Sequence, residues 1–105
     1  MSAIGYVTRQ PDGNYKGSIE LLTYRGPLEL IVNKARTGKQ PHFRCFSRNT
    51  EVGAAWIAKN QQDEDYVSLD LHNPAFGPYR IYANLGQAAG QDDPDTLAVI
   101  WNPKD

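Results

Sequence analysis

Apolar and polar residues alternate along most of this chain with a period of two, and this alternation limits its fold more than any other feature. In residues 67–72, for example, Val, Leu and Leu alternate with Ser, Asp and His. Successive side chains of a β-strand point to opposite faces, so this pattern predicts a strand with one buried face. The spacing of three and four residues that marks an amphipathic helix is almost absent. We therefore expect an all-β protein.

Turn residues separate the alternating segments. The clearest are the Pro-Asp-Gly-Asn of residues 11–14, the Gly-Pro that ends at residue 27, and the two prolines of residues 73–78. Pro fixes φ, and Gly or Asn tolerates positive φ, so these residues favour tight connections. Residues 3–22 are predicted to form a hairpin. About seven short strands joined in this way predict an antiparallel sandwich or a small barrel.

One segment fits two structures. Residues 50–59 contain three alanines, which favour a short helix with Thr50 as its N-cap. Gly53 and the pair Trp56 and Ile57 suit a strand that pairs back onto the next segment instead. We favour the strand.

The apolar row of each segment predicts the core. Cys45 shares a face with Phe43, and no second thiol or neighbouring base is evident, so we expect a buried and unreactive thiol. The residues expected to contribute to the core are Tyr6, Ile19, Leu30, Phe43, Val67, Leu69, Ile81, Val99 and Trp101.

Length and composition exclude several classes of protein. A chain of 105 residues is long enough for one domain with one core, here residues 1–105. The net charge of −1 argues against intrinsic disorder. A single cysteine excludes an intramolecular disulfide and suits a reducing cytoplasm. No apolar run is long enough for a membrane helix, and no secretory leader is recognisable, so we expect a cytoplasmic protein.

The small net charge hides an asymmetry. Residues 1–50 contain eight Lys or Arg and three Asp or Glu, whereas residues 51–105 contain three and nine. No acid occurs between Glu29 and Glu51. The two halves are either adjacent and partly neutralise each other, or the basic half meets an anionic partner. The cations inside the acid-free window are Lys34, Arg36, Lys39, Arg44 and Arg48.

Aromatic and basic residues share one face of the predicted strand that follows residue 41. Small antiparallel barrels bind single-stranded nucleic acid with cations along the phosphates and exposed rings stacked on the bases. The alternative is that Phe46 packs beneath a loop and the cations are ordinary solvated residues. The nucleic-acid-binding surface predicted from this pattern consists of Lys34, Arg36, Lys39, Arg44, Phe46 and Arg48.

No catalytic or metal site is predicted. Ser68 and His72 would lie roughly 13 Å apart on one strand, whereas a nucleophile and its base need a hydrogen bond. His42 and Cys45 would point to opposite faces and have no further ligands nearby. Residues 92–95 contain three aspartates, but Pro interrupts the calcium-loop pattern. We therefore expect a protein that is not an enzyme and has no cofactor.

Five segments together resemble the domain of unknown function 736 family of short bacterial proteins. They are Ile-Gly-Tyr-Val at 4–7, Glu-Val-Gly-Ala-Ala-Trp at 51–56, Tyr-Val-Ser-Leu-Asp-Leu at 66–71 followed by Asn-Pro-Ala-Phe at 73–76, Ile-Tyr-Ala-Asn-Leu at 81–85 and Leu-Ala-Val-Ile-Trp at 97–101. The resemblance implies a cytoplasmic bacterial protein, often encoded on plasmids or conjugative elements. It implies no activity.

Two hypotheses of different classes follow. In the first, the protein is a non-enzymatic module that binds single-stranded or otherwise accessible nucleic acid. In the second, it interacts with another protein or with itself as an accessory of a mobile genetic element, through sheet edges and exposed Trp or Tyr. A buried Phe46 and scattered cations would favour the second hypothesis.

Overall fold

The computed structural model describes residues 3–78, 80–87 and 93–102, which form a closed antiparallel β-barrel. Each strand pairs with the next one in sequence, and the last pairs with the first. The all-β prediction is confirmed. The strand expected at residues 50–59 is confirmed, and the strands number eight rather than about seven. The elements are β1 (Ala3–Arg9), β2 (Tyr15–Glu20), β3 (Arg25–Val32), β4 (Phe43–Ser47), β5 (Thr50–Lys59), β6 (Asp65–Leu71), a 3₁₀ helix (Pro74–Phe76), β7 (Ile81–Gln87) and β8 (Thr96–Trp101).

The core fills the inside of the barrel. An eight-stranded barrel is just wide enough for side chains to occupy its interior. Ile19, Leu30 and Cys45 are completely buried there. Of the residues predicted for the core, Phe43, Val67, Leu69 and Val99 are also buried, and Ile81 is partly buried against them. No helix among the described residues is long and apolar enough to cross a membrane.

Two residues predicted for the core are exposed. Tyr6 is 52% exposed because β1 turns Gly5 and Val7 inward and Tyr6 outward. The inner side at Gly5 is crowded, since a Cβ there would lie 2.2 Å from the carbonyl oxygen of Ser18. Trp101 continues the inward row of β8 but is the last residue of the strand, beyond the packed interior, and it is 44% exposed.

The two ends of the barrel differ. At the end where β1 begins, which we call the plugged end, the 3₁₀ helix covers the interior. The Asn73 side chain caps this helix by accepting a hydrogen bond from the Ala75 amide at 2.9 Å. The buried Phe76 ring lies 5.6 Å from the Tyr24 ring. The Tyr24 hydroxyl in turn hydrogen-bonds the buried Ser47 hydroxyl at 2.6 Å.

At the opposite end, which we call the open end, the described residues include no such plug. The β1–β2, β3–β4 and β5–β6 connections lie there, because successive strands run in opposite directions. The Tyr15 and Phe43 rings meet edge to face across the interior, with centroids 5.6 Å apart. This aromatic pair is the boundary of the core at the open end.

Candidate functional site

Phe46 lies on the outer face of β4, as the alternation predicts, but it has acidic neighbours. In the register of the sheet its partners are Glu29 on β3 and Glu51 on β5. A β-bulge contributes to this arrangement. Cys45 pairs with Gly53 and Phe46 with Glu51, so Val52 is an extra residue on β5. Extra residues of this kind bend and twist a strand locally. The Phe46 ring is half-buried.

Arg44 is engaged with one of these acids. Its Nε and Nη2 atoms donate to the two carboxylate oxygens of Glu51 at 2.8 and 2.7 Å. These hydrogen bonds raise the pKa of Arg44 and hold the pKa of Glu51 below its ordinary value. The Arg44 guanidinium carbon also lies 5.8 Å from the centroid of the Phe46 ring. The cation is therefore paired with an acid and lies against the ring that was predicted to stack on a base.

Arg48 directly follows the last residue of β4 and lies at the plugged end of the barrel. It occupies the tight β4–β5 turn with φ of 50°, followed by Asn49 with φ of 65°. Its Nη2 donates to the Arg25 carbonyl oxygen at 3.0 Å, and its guanidinium lies 5.3 Å from the centroid of the Tyr24 ring. At about 3.3 Å per residue, β4 places Arg48 roughly 16 Å from the β3–β4 connection.

The remaining three predicted cations lie together in that connection, residues 33–42, which we call the basic loop. Lys34, Arg36 and Lys39 are exposed. None of them forms an ion pair with an acid in the described part of the chain. The Arg36 Nε donates to the Gln40 carbonyl oxygen at 2.7 Å. The half-buried Trp56 fastens the loop to the barrel, because its indole N–H donates to the Lys39 carbonyl oxygen at 3.1 Å.

His42 closes the basic loop onto β5. Its Nδ1 accepts a hydrogen bond from the Ile57 amide at 3.1 Å, and its own amide donates to the Ala55 carbonyl oxygen at 2.9 Å. Partial burial, and then the charge of Arg36, lower the pKa of His42 below its ordinary value of 6.5. The ring holds the loop best in its neutral form, because a protonated Nδ1 cannot accept.

The six predicted site residues therefore do not form one surface. Three cations lie in the basic loop, Arg44 and Phe46 lie in the middle of the barrel wall, and Arg48 lies at the plugged end. Sequence reasoning missed the aromatic residue that does accompany the loop, Trp56. Strict alternation would put Trp56 on the same face as the buried Val52, and only the β-bulge at Val52 turns Trp56 outward, so the sequence pattern contains no signal for it.

The polar residues weighed for chemistry are separated or engaged. The Asp70 carboxylate accepts from Arg80 Nη1, with both oxygens at 3.2 Å. Cys45 is buried inside the barrel, whereas His42 lies on its surface. The described residues contain no group of three or more His, Cys, Asp or Glu arranged to hold a metal. Residue 92 of the aspartate-rich segment lies outside the described residues.

A second exposed region lies at the plugged end. Leu22, in the β2–β3 connection, is fully exposed, and Trp101 stands near it with 44% of its surface exposed. Between them lies a mainly apolar groove of about 690 Å³. Its floor includes Ile4, Leu21 and Ile81. Exposed apolar surface of this kind marks binding sites more often than an isolated surface leucine does.

Comparison with known proteins gives a family but no activity. No curated protein matches the chain, and no solved structure does either. The model of one family, described as a protein of unknown function (DUF736), matches residues 3–104, which is nearly the whole chain. The five segments that suggested this resemblance all lie within the match. The chain therefore belongs to the DUF736 family of proteins of unknown function.

Proposed function

We propose that this protein is a non-enzymatic interaction module that associates with a second copy of itself through the apolar groove at the plugged end. The observation that carries the proposal is Leu22, a fully exposed leucine at the edge of a groove bordered by Trp101. A large aliphatic and a large aromatic side chain at one site are typical anchors of a protein interface. Burying them against a partner would remove their apolar surface from water.

Self-association is favoured because the surface is complementary to itself. A two-fold symmetric interface requires the same patch to offer both the projecting and the receiving part. Here Leu22 projects, and the groove floor at Ile4 and Ile81 receives. The rim carries both signs of charge, with Glu20 and Arg80 bordering the groove. Both are already paired within the chain, Glu20 with Arg25 and Arg80 with Asp70, so neither strongly repels a second copy, and the net charge of −1 adds little repulsion.

The fold restricts how such contacts form. Every strand has a neighbour on both sides in the closed barrel, so pairing along a whole strand edge is removed as a mode of binding. Side chains must then supply the interface. In a stable interface each partner contributes about 20 to 30 residues, and fewer residues line this groove. We therefore expect a weak dimer that dissociates on dilution.

Sedimentation equilibrium over a wide concentration range tests this proposal. The wild-type protein should pass from monomer to dimer as its concentration rises, and Leu22→Lys should remain monomeric with an unchanged circular dichroism spectrum. Ile57→Lys is the matched control, since Ile57 is 43% exposed at the open end. That variant should dimerise like the wild type. A wild-type protein that stays monomeric at millimolar concentration, or a Leu22→Lys variant that still dimerises, would reject the proposal.

Nucleic-acid binding through the basic loop is a second candidate. The observation in its favour is that Lys34, Arg36 and Lys39 have no acidic partner among the described residues, while Trp56 is fastened beside them. The half-buried Trp56 replaces Phe46 as the ring that would stack on a base. Arg44 and Arg48 are then expected to contribute little, because each is already engaged with other groups.

Fluorescence anisotropy with labelled single-stranded DNA, single-stranded RNA and duplex DNA tests this candidate. Three phosphate contacts on a single strand predict a log–log salt slope of about −2. Replacing Lys34, Arg36 and Lys39 together by Gln should abolish binding, whereas Arg48→Gln should leave both affinity and slope unchanged. Binding that is undetectable with all three probes at about 50 mM salt would eliminate nucleic acid as the ligand, because low salt favours such binding most.

A further inference from the structure

The open end of the barrel contains a cleft that neither function above uses. Its volume is about 720 Å³, which is in the range of small-molecule sites. It lies above the Tyr15–Phe43 pair and is walled by Ile57, Val67 and Leu85. A barrel mouth with apolar walls is a common place for a protein to hold a small ligand.

The barrel wall opens beside this cleft. The β6–β7 ladder runs from Leu71 opposite Ile81 to Ser68 opposite Asn84 and does not continue toward the open end. Beyond that point Tyr66 on β6 and Leu85 on β7 both border the cleft. β7 remains paired with β8 as far as Gln87, so the two sheet segments diverge here. Within the described residues, the cleft therefore opens sideways between β6 and β7 as well as along the barrel axis.

The floor of the cleft is apolar and remains in contact with solvent. Tyr15 and Phe43 are 9% and 7% exposed, whereas Ile19 and Leu30, deeper in the barrel, are 0% exposed. The side chains around the cleft thus have apolar surface left to bury, and the side chains below do not. An apolar group of a ligand would reach the aromatic pair and stop there.

A polar anchor stands directly over this floor. Arg9 is the register partner of Tyr15, and paired residues point to the same face, so both lie on the inner side of the mouth. Arg9 forms no ion pair within the described part of the chain. The Tyr15 hydroxyl has no hydrogen-bond partner among the described residues. It is accessible to solvent, because no buried side-chain oxygen in that part of the chain lacks a partner, and Tyr15 lines the cleft.

Of the two acids at the rim, Asp65 is paired with a cation and Glu64 accepts only from a neutral amide. Lys59 Nζ lies 3.0 Å from the Asp65 carboxylate, and the Glu64 carboxylate accepts from the Asn60 side-chain amide at 3.3 Å. Arg9 and Glu64 are therefore the charged groups at the cleft that form no ion pair within the described residues, and of the two only Arg9 can bind an anion. A guanidinium with five donors in a fixed plane is suited to a carboxylate.

We propose that the cleft binds a small amphipathic carboxylate. Its apolar part lies on the Tyr15–Phe43 pair and extends into the opening between β6 and β7. Its carboxylate accepts hydrogen bonds from the Arg9 guanidinium and the Tyr15 hydroxyl. This site is separate from the groove at the plugged end and from the basic loop.

Three probes of equal chain length test this proposal, namely octanoate, octan-1-ol and octylamine, titrated into ¹⁵N-labelled protein at neutral pH. Octanoate should bind most tightly and shift the amide resonances of β1, β2 and the β6–β7 opening. Arg9→Gln should weaken octanoate by about tenfold or more, since a hydrogen bond to a charged group is lost, and leave octan-1-ol unchanged. Arg25→Gln, at the plugged end, is the matched control and should change neither affinity.

A second variant separates the apolar contact from the charge. Ile57→Asn places a neutral amide on the wall of the cleft at a position that is already 43% exposed, so the barrel should still fold. It should weaken octanoate and octan-1-ol alike. Equal binding of all three probes, tighter binding of octylamine, or an Arg9→Gln variant with unchanged octanoate affinity would overturn the proposal.

Discussion

The two ends of the barrel differ in how the apolar interior is closed off from solvent. At the plugged end a capped 3₁₀ turn lays Phe76 over the interior, and its ring packs on Tyr24, whose hydroxyl is bonded to the buried Ser47. At the open end the Tyr15–Phe43 pair limits the core from within, and a cleft remains above it. Closing a sheet into a barrel satisfies the backbone of the strands but leaves both ends of the interior to be covered by something else.

The comparison separates the end of the barrel that contributes to the stability of the fold from the end that keeps surface exposed for binding. A covered end contributes buried aromatic area and a buried hydrogen bond. The open end, which the described residues do not cover, leaves Ile57 half-exposed and an inward cation, Arg9, without an ion-pair partner in that part of the chain. Chemical labelling and unfolding measurements on variants at each end test this contrast.

Cys45 lies between the two ends, so the reactivity of its thiol measures whether either end admits solvent. Burial raises the pKa of its thiol to about 12 from an ordinary value of 9.0, with Glu51 and Asp70 adding to the shift. Since the thiolate is the reactive form, native Cys45 should react with a thiol reagent about a thousandfold more slowly than the unfolded chain at pH 8. Phe43→Ala, which opens the aromatic floor, should accelerate labelling. Rapid stoichiometric labelling of the wild type would show that the open end is not sealed.

The same shift predicts a dependence of stability on pH. The folded thiol keeps its proton between about pH 9 and pH 12 while the unfolded thiol loses it, so this contribution is complete below pH 9 and is lost as pH rises toward 12. The total is on the order of 4 kcal/mol. Urea unfolding of the wild type and Cys45→Ala across this interval measures it, and parallel pH profiles would contradict it.

Phe76→Ala removes the plug and should lower the free energy of unfolding by about 3 kcal/mol, because a buried ring and its contact with Tyr24 are lost. Ile57→Ala, its counterpart at the open end, should lower it by roughly 1 kcal/mol or less, since that side chain is already 43% exposed. Urea unfolding gives both values. Equal losses at the two ends would remove the distinction between them.

Tyr24→Phe leaves the plug in place and deletes one hydroxyl. Ser47, 3% exposed, then loses its partner at 2.6 Å, and the free energy of unfolding should fall by about 1 to 2 kcal/mol. Adding Ser47→Ala should restore part of this loss, because the unsatisfied hydroxyl is removed as well. Losses that simply add in the double variant would mean that the two hydroxyls act independently.

The smallest effect concerns His42 at the open end. Its pKa lies below 6.5 through partial burial and the charge of Arg36, so the folded protein binds this proton less readily than the unfolded chain does. The stabilisation is therefore present above the ordinary pKa and is lost as pH falls through the lowered value. The NMR resonance of the Trp56 indole N–H should follow the same titration, because both side chains fasten the basic loop. A His42 pKa at or above 6.5 would contradict this.

Much of the fold was predictable because a strand face is a local property. The alternation in residues 67–71 or 43–47 assigns the inner row directly, and both rows are buried as expected. Tyr6 shows the limit. Both faces of β1 carry apolar residues, and a shift of one position reverses them. The choice depends on Gly5, which fits against the backbone of Ser18 only because it has no side chain.

The site was less predictable because it depends on register between strands. The acid-free window in the sequence is bounded by Glu29 and Glu51, and the sheet brings these two acids to either side of Phe46. A stretch without acids along the chain is therefore not a surface without acids. Trp56, which is 17 residues from Lys39 in sequence, reaches the basic loop only because β4 and β5 pair.

The order of the strands also has a kinetic consequence. Seven of the eight ladders join strands that are neighbours in the chain, so each can form as a local hairpin. The β1–β8 ladder joins Ala3–Arg9 to Thr96–Trp101 and must wait for a loop closure that spans almost all of the described chain. Until that last seam closes, the outer edges of β1 and β8 are two unpaired strand edges. The folding chain, unlike the folded one, is therefore exposed to strand exchange with other copies of itself.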